Sequence, residues 1–307
     1  MIVKSKLLLI GPVFLIILCG SCRKERNETN VEQEKIISDL QYGNHPLQKV
    51  DVYLPAGRSE NTPVLFLLHG GAFAAGDKSE LSNLCRQFMT AGYAVVNINY
   101  RLVDTSGLWK SPPEHKAGEI HISSQLQDIQ QAMQLANDQV RSWLVSETKW
   151  MMAGHSAGGT LSLLYSYSDL NKDKRIKAAA NWAGVLDFSY QDESELQLFD
   201  QRLAELFYRI SGSEPLNANK DVFKGISPLY QVGQNSVPTI NIRPEFNVIF
   251  NIPDISKANY DAITVELNSH NIPNKLIEIT GADHAFSKPG SWDRVIEETL
   301  TFFKSYL

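Results

Sequence analysis

From Lys49 onward, short apolar runs of strand length take turns with longer segments whose apolar residues recur at helical spacing, and this alternation is the strongest constraint on how the chain folds. "VDVYLP" (50–55), "PVLFLLHGG" (63–71), "GYAVVNINYR" (92–101), "KWMMAG" (149–154), "IKAAANWAG" (176–184), "PTINI" (238–242) and "NKLIEI" (274–279) predict strands. Leu81, Leu84, Cys85 and Phe88 share one helical face, and further helices are predicted over 125–144, from Ala157, over 254–270 and in the closing "WDRVIEETLTFFKSYL". Most of the strands are apolar on both faces, as a sheet covered by helices on each side requires. The expectation is an α/β chain with a mostly parallel central sheet. In such a sheet the loops at the carboxyl ends of the strands surround the ligand site. Two long irregular stretches, 103–123 and about 189–225, break the rhythm and are predicted to wall or cover that site.

Gly154-His155-Ser156-Ala157-Gly158 fits G-x-S-x-G, with a predicted strand before it and a helix after it. That context sets a serine on a sharp, strained turn. A serine hydroxyl becomes a nucleophile only with a base, a group that orients the base, and donors for the charge that develops on the substrate oxygen. "LLHGGAF" ends a strand in His69-Gly70-Gly71-Ala72, where a side-chain-free backbone brings N–H groups close to a substrate. Gly70 and Gly71, with the N–H of Ala157 at the positive end of a helix, are therefore candidate oxyanion donors. His284, in "ITGADHAFSKPG" directly after the last predicted strand, is the candidate base. His69 and His155 belong to the motif turns and are expected to orient them. His45, His115, His121 and His270 stand in no motif.

With "DVYLP", "HGGAFAAGDKS", "NYRL", "GHSAGG" and "GADHAF" in this order, the chain resembles the α/β-hydrolase superfamily, and within it the BD-FAE-like and hormone-sensitive-lipase-like carboxylesterases, over roughly Gln48–Leu307. The resemblance implies the α/β-hydrolase fold and a serine hydrolase that cleaves carboxylic esters through an acyl-enzyme. It implies Ser156 as nucleophile, His284 as base, and oxyanion donors near Gly70, Gly71 and Ala157. No metal or cofactor is implied, and the substrate would be a small or polysaccharide-linked ester. Asp128, in "LQDIQQAM", matches a structural aspartate of such proteins.

One motif departs from the family. Where a turn like H-G-x-x-D follows the strand, this chain has Arg243-Pro244-Glu245-Phe246-Asn247. Asn247 takes the acid's place counted forward from the strand, and Val248 counted back from the next helix. Glu245 is the nearest carboxylate and the expected third catalytic residue, with Asp187 in "GVLDFS" and the uncharged Asn247 as alternatives; Asp254 is expected to cap the next helix. The missing aspartate also leaves open a degenerate hydrolase that binds a ligand without turnover. A serine peptidase of the prolyl-oligopeptidase type ranks last, because Cys22 to His69 is too short a stretch for its accessory domain.

"MIVKSKLLLIGPVFLIILCGSC" sets Lys4 and Lys6 before an apolar stretch, Leu7 to Leu18, and then small residues, the form of a secretory signal over 1–21. The apolar stretch falls short of the roughly 20 residues of a membrane-spanning helix. "LCGSC" resembles a bacterial lipobox with Cys19 in place of the usual leucine, so lipidation at Cys22 and an envelope location are expected. A polar tether over 22–40 and a hydrolase domain over 41–307 complete the expected organisation. After such processing Cys85 is the remaining thiol, which leaves no internal disulfide. A net charge of -5, with no basic run beyond the first residues, argues against a nucleic-acid partner.

Overall fold

The computed structural model describes residues 32–189, 200–248 and 257–307; the predicted signal segment, Cys22 and Asp254 lie outside them. The strands are β1 (Lys35–Gln41), β2 (Lys49–Leu54), β3 (Val64–Leu68), β4 (Ala94–Ile98), β5 (Trp150–His155), β6 (Ile176–Trp182), β7 (Thr239–Phe246) and β8 (Asn274–Asp283). They form one sheet in the order β1-β2-β4-β3-β5-β6-β7-β8. The β1–β2 and β2–β4 pairs are antiparallel and every other pair is parallel. The helices are α1 (Ser82–Thr90), α2 (Ile122–Trp143), α3 (Ala157–Tyr167), α4 (Gln201–Ser211), α5 (Lys220–Gly225), α6 (Lys257–Ser269) and α7 (Ser291–Lys304). This is the α/β-hydrolase fold. Among the described residues no helix is long and apolar enough to cross a membrane.

The inner strands bury both faces. Val64, Phe66 and Leu68 of β3 join the core that holds the apolar residues of α2, α3 and α6, while Leu65 and Leu67 join those of α1 and α7. Asp128 of α2 is fully buried and accepts the Arg101 backbone N–H at 2.8 Å, a Gln48 amide N–H at 2.9 Å and the Arg101 guanidinium at 2.7 Å. It fastens α2 to the end of β4, the structural role implied by resemblance.

Residues 35–40, expected within the polar tether, form β1 together with Gln41. Ile36, Ile37 and Leu40 of this edge strand are only half buried, and its register shifts between Ile37 and Leu40, so it lacks the apolar run of the inner strands. The described parts of the two insertions are fastened together through α4. The Arg209 guanidinium, wholly buried, donates to the carbonyls of Asp104, Ser106 and Glu114 at 2.8, 2.9 and 2.5 Å and to Glu205 at 2.6 Å. Glu205 also accepts the Lys116 backbone N–H at 3.1 Å.

Candidate active site

Ser156 stands between the end of β5 and the first residue of α3, with φ 54° and ψ -122°. A residue other than glycine is strained there and persists only where its surroundings hold it. Its N–H donates to the Trp182 carbonyl at 2.8 Å, and its own carbonyl accepts from Thr160 N–H at 3.1 Å. Gly158 meets the backbone of Leu68 and His69 so closely that a Cβ has no room, which ties the turn to the end of β3. The serine hydroxyl thus emerges from a turn locked between three parallel strands.

His284 follows β8 directly, and its Nε2 lies 2.9 Å from Ser156 Oγ. Its Nδ1 lies 2.7 Å from Asn247 Oδ1. Burial, and secondarily the neighbouring His155, lower the imidazole pKa to about 4, while Asp283 opposes the shift weakly. Near neutral pH the ring therefore carries one N–H. With the amide oxygen of Asn247 accepting Nδ1–H, Nε2 presents its lone pair to the serine hydroxyl. Asn247 is fully buried, and its Nδ2 has no hydrogen-bond partner among the described residues.

Glu245, the expected third residue, is not beside His284. β7 runs on to Phe246, four residues beyond the predicted "PTINI" strand, so Glu245 is still inside the strand. It faces β8, where the pairing shifts between Pro244 and Phe246, and its Oε2 accepts the Gly281 N–H at 2.6 Å. Asn247 is the first residue past the strand and the one that meets the imidazole. Asp187 is also elsewhere: it accepts the Ser189 N–H at 2.7 Å and lies 3.4 Å from the Tyr230 hydroxyl.

Gly70 packs against the Ser156 turn, where an added Cβ would lie 3.2 Å from Ser156 Cβ and from the His155 carbonyl, and Gly71 has a φ of +112° that favours glycine. The loop is fixed from behind. His69 donates Nδ1–H to the Gly70 carbonyl at 2.7 Å and stacks on Tyr100, while Gln125 of α2 donates to the Phe73 carbonyl at 2.7 Å. Ala157 opens α3, so its N–H is one of the first-turn donors left without a partner inside the helix. Gly70, Gly71 and Ala157 thus gather around Ser156 as the motifs predict.

His155 does more than shape its turn. Its ring donates Nε2–H to the His284 carbonyl at 2.8 Å, so the residue before Ser156 holds the loop that carries His284. Sequence spacing held no signal for this contact. A cavity of about 590 Å³ opens over Ser156 and His284. Leu108, Leu203 and Leu206 from the two insertions supply an apolar wall, and Trp109 and Arg202 also line it. The insertions had been placed around the site by their position in the chain, but their lining residues belong to no motif. Among the described residues no three His, Cys, Asp or Glu side chains gather as a metal site would need.

The BD-FAE family model matches residues 50–247. A kynurenine formamidase of Danio rerio is 22% identical over 170 residues, 54% of this chain and 52% of its own length, so the match spans about half of that relative. A solved truncated carbohydrate esterase from gut microbiota superposes with a TM-score of 0.67 at 18% identity, covering 89% of this chain and 96% of its own. Esterase B from Lactobacillus rhamnosis gives 0.67 at 18% identity, with coverage of 90% and 88%. A bacterial heroin esterase gives 0.66 at 19% identity, with coverage of 90% and 84%. These solved structures share the fold.

Proposed function

The chain belongs to the BD-FAE family, and from that premise we propose that it is a serine hydrolase that cleaves carboxylic esters through an acyl-enzyme. The observation that carries this reading is the 2.9 Å contact between Ser156 Oγ and a His284 Nε2 whose other nitrogen is engaged by Asn247. Ser156 Oγ attacks the ester carbonyl as His284 Nε2 takes its proton. The N–H groups at Gly70, Gly71 and Ala157 receive the oxyanion at the floor of the pocket. The imidazolium then protonates the departing alkoxide, which leaves Ser156 acylated. A water molecule, deprotonated by the same nitrogen, attacks the acyl carbon and restores the hydroxyl.

Asn247 holds the tautomer this sequence needs but brings no negative charge to the imidazolium. The absence of a carboxylate there favours the second reading, a hydrolase fold that binds its ligand without turnover. Labelling with a fluorophosphonate and assay on acyl nitrophenyl esters separates the two. The hydrolase labels and turns over, and Ser156→Ala loses both by about four orders of magnitude or more at an unchanged melting temperature. A folded Ser156→Ala protein that keeps most of its activity would overturn the mechanism. Carbohydrate esterases among the structural neighbours support a polysaccharide-linked or small ester as substrate. The lipobox-like "LCGSC" supports export and a lipid anchor at Cys22, which mass spectrometry of the mature N-terminus checks.

A further inference from the structure

The loop that carries His284 is strained. Phe286, two residues on, has a φ of 53°, where a bulky side chain is costly and persists only if its surroundings impose it. Two ring N–H groups hold this loop from outside. His155 donates Nε2–H to the His284 carbonyl at 2.8 Å, and Trp292, near the start of α7, donates Nε1–H to the next carbonyl, that of Ala285, at 3.1 Å. The two donors brace each other. The His155 and Trp292 rings meet edge to face with centroids 5.4 Å apart, and the Phe286 ring centroid lies 6.0 and 5.1 Å from theirs. With its proton on Nε2, His155 turns a bare Nδ1 toward Gly70, where an added Cβ would lie 3.2 Å from it. One imidazole thus stands between the Gly70–Gly71 loop and the His284 loop, one residue before Ser156.

We propose that His155, seconded by Trp292, is a positioning residue for proton transfer between Ser156 and His284, and that it gives His284 through the backbone the hold that a carboxylate at position 247 would give through the ring. The proposal rests on the ester-hydrolase reading above. A carboxylate fixes an imidazole by a charge-assisted hydrogen bond, roughly twice as strong as the neutral bond that the Asn247 amide offers. A ring on the weaker bond depends more on where its backbone stands. Proton transfer needs Nε2 within hydrogen-bond reach of Ser156 Oγ, the 2.9 Å contact seen here, and small misplacements cost rate steeply. Pinning the His284 carbonyl removes backbone motion from that loss. His155 itself gives and takes no proton in this step; it acts on His284 Nε2 only through the chain it holds.

Kinetics on p-nitrophenyl acetate and amide hydrogen exchange test it. His155→Phe keeps a ring against Trp292 and removes the donor, so kcat is expected to fall by about tenfold or more with KM within about twofold. His155→Gln, whose amide N–H reaches the place of Nε2, is expected to restore most of kcat. In an Asn247→Asp background, where a carboxylate holds the ring, His155→Phe is expected to cost about threefold or less. Trp292→Phe, outside the Ser156 turn, should lower kcat alone by about threefold, and supplies the same signature if His155→Phe does not fold. An unchanged kcat, a KM that rises as far as kcat falls, no recovery in His155→Gln, or an equal loss in the Asn247→Asp background overturns the proposal. Exchange of the amides over 284–287 reads the hold without turnover: it should quicken by about tenfold in His155→Phe and stay near wild type in His155→Gln. Exchange that does not change overturns the hold. A wild type that cleaves no ester, with exchange that still quickens in His155→Phe, would sink the hydrolase assignment and leave the hold on His284 standing.

Discussion

Asn247 differs from an aspartate by one amide nitrogen, and the two atoms of that amide act in opposite ways. The oxygen accepts Nδ1–H and keeps His284 in the tautomer that receives a serine proton; the nitrogen is buried without a partner among the described residues. In a related triad an asparagine at this place costs about 10⁴ in rate by selecting the wrong tautomer. Here the tautomer is right and the missing element is charge. Asn247→Asp is therefore expected to raise kcat on short acyl esters by about tenfold or more. It should also move the acid limb of the kcat/KM profile upward from about pH 4, since a facing carboxylate favours imidazolium. Glu245→Gln, measured alongside, should stay near wild-type turnover, because an amide oxygen still accepts the Gly281 N–H. Ser156 and His284 were legible because glycine turns and strand ends mark them. The third residue was legible only in part: counting forward from the strand gave Asn247, but Pro244 hides the continuation of β7 that carries the preferred Glu245 past the imidazole.

The elements that place these residues differ in what holds them. The six inner strands stand on apolar burial from both faces and were readable as apolar runs, and the edge strand β8 was readable from Leu276, Ile277 and Ile279. β1 was missed because its half-buried Ile36, Ile37 and Leu40 are broken by exposed Ser38 and Asp39 and leave no apolar run. α4 was blurred for the opposite reason: Leu203, Leu206 and Ile210 mark its inner face, but Glu205 and Arg209 are buried there too and dilute the pattern. That pair is the clasp between the insertions. Arg209→Ala should destabilise the protein by about 3–5 kcal/mol, because it leaves the Glu205 carboxylate buried with its main partner gone. Denaturant midpoints check the loss. A loss of less than 1 kcal/mol would mean that the loops are held by other contacts.

Three histidines largely withdrawn from water, buried His69 and half-buried His155 and His284, tie the stability of the whole molecule to pH. Burial is the first cause in each case and lowers all three pKa values, so the fold keeps these rings neutral. The unfolded chain begins to take up their protons near pH 6.5, while folded His284 resists protonation until about pH 4. Stability is thus fully present above about 6.5 and falls with pH through that window, with about 3 kcal/mol from His284 alone. Urea midpoints at pH 7 and pH 5 should show the decline, and His284→Gln should flatten it; a slope unchanged in that variant would remove His284 from the account. The strand order has a further consequence, in time rather than in space. Ser156 and the Gly70–Gly71 loop hang from β5 and β3 in the middle of the sheet, whereas His284 hangs from β8, which pairs with β7 alone among the described strands. During synthesis His284 is the last of these residues to arrive, so on the proposed mechanism a nascent chain that has built the central sheet remains silent until β8 docks.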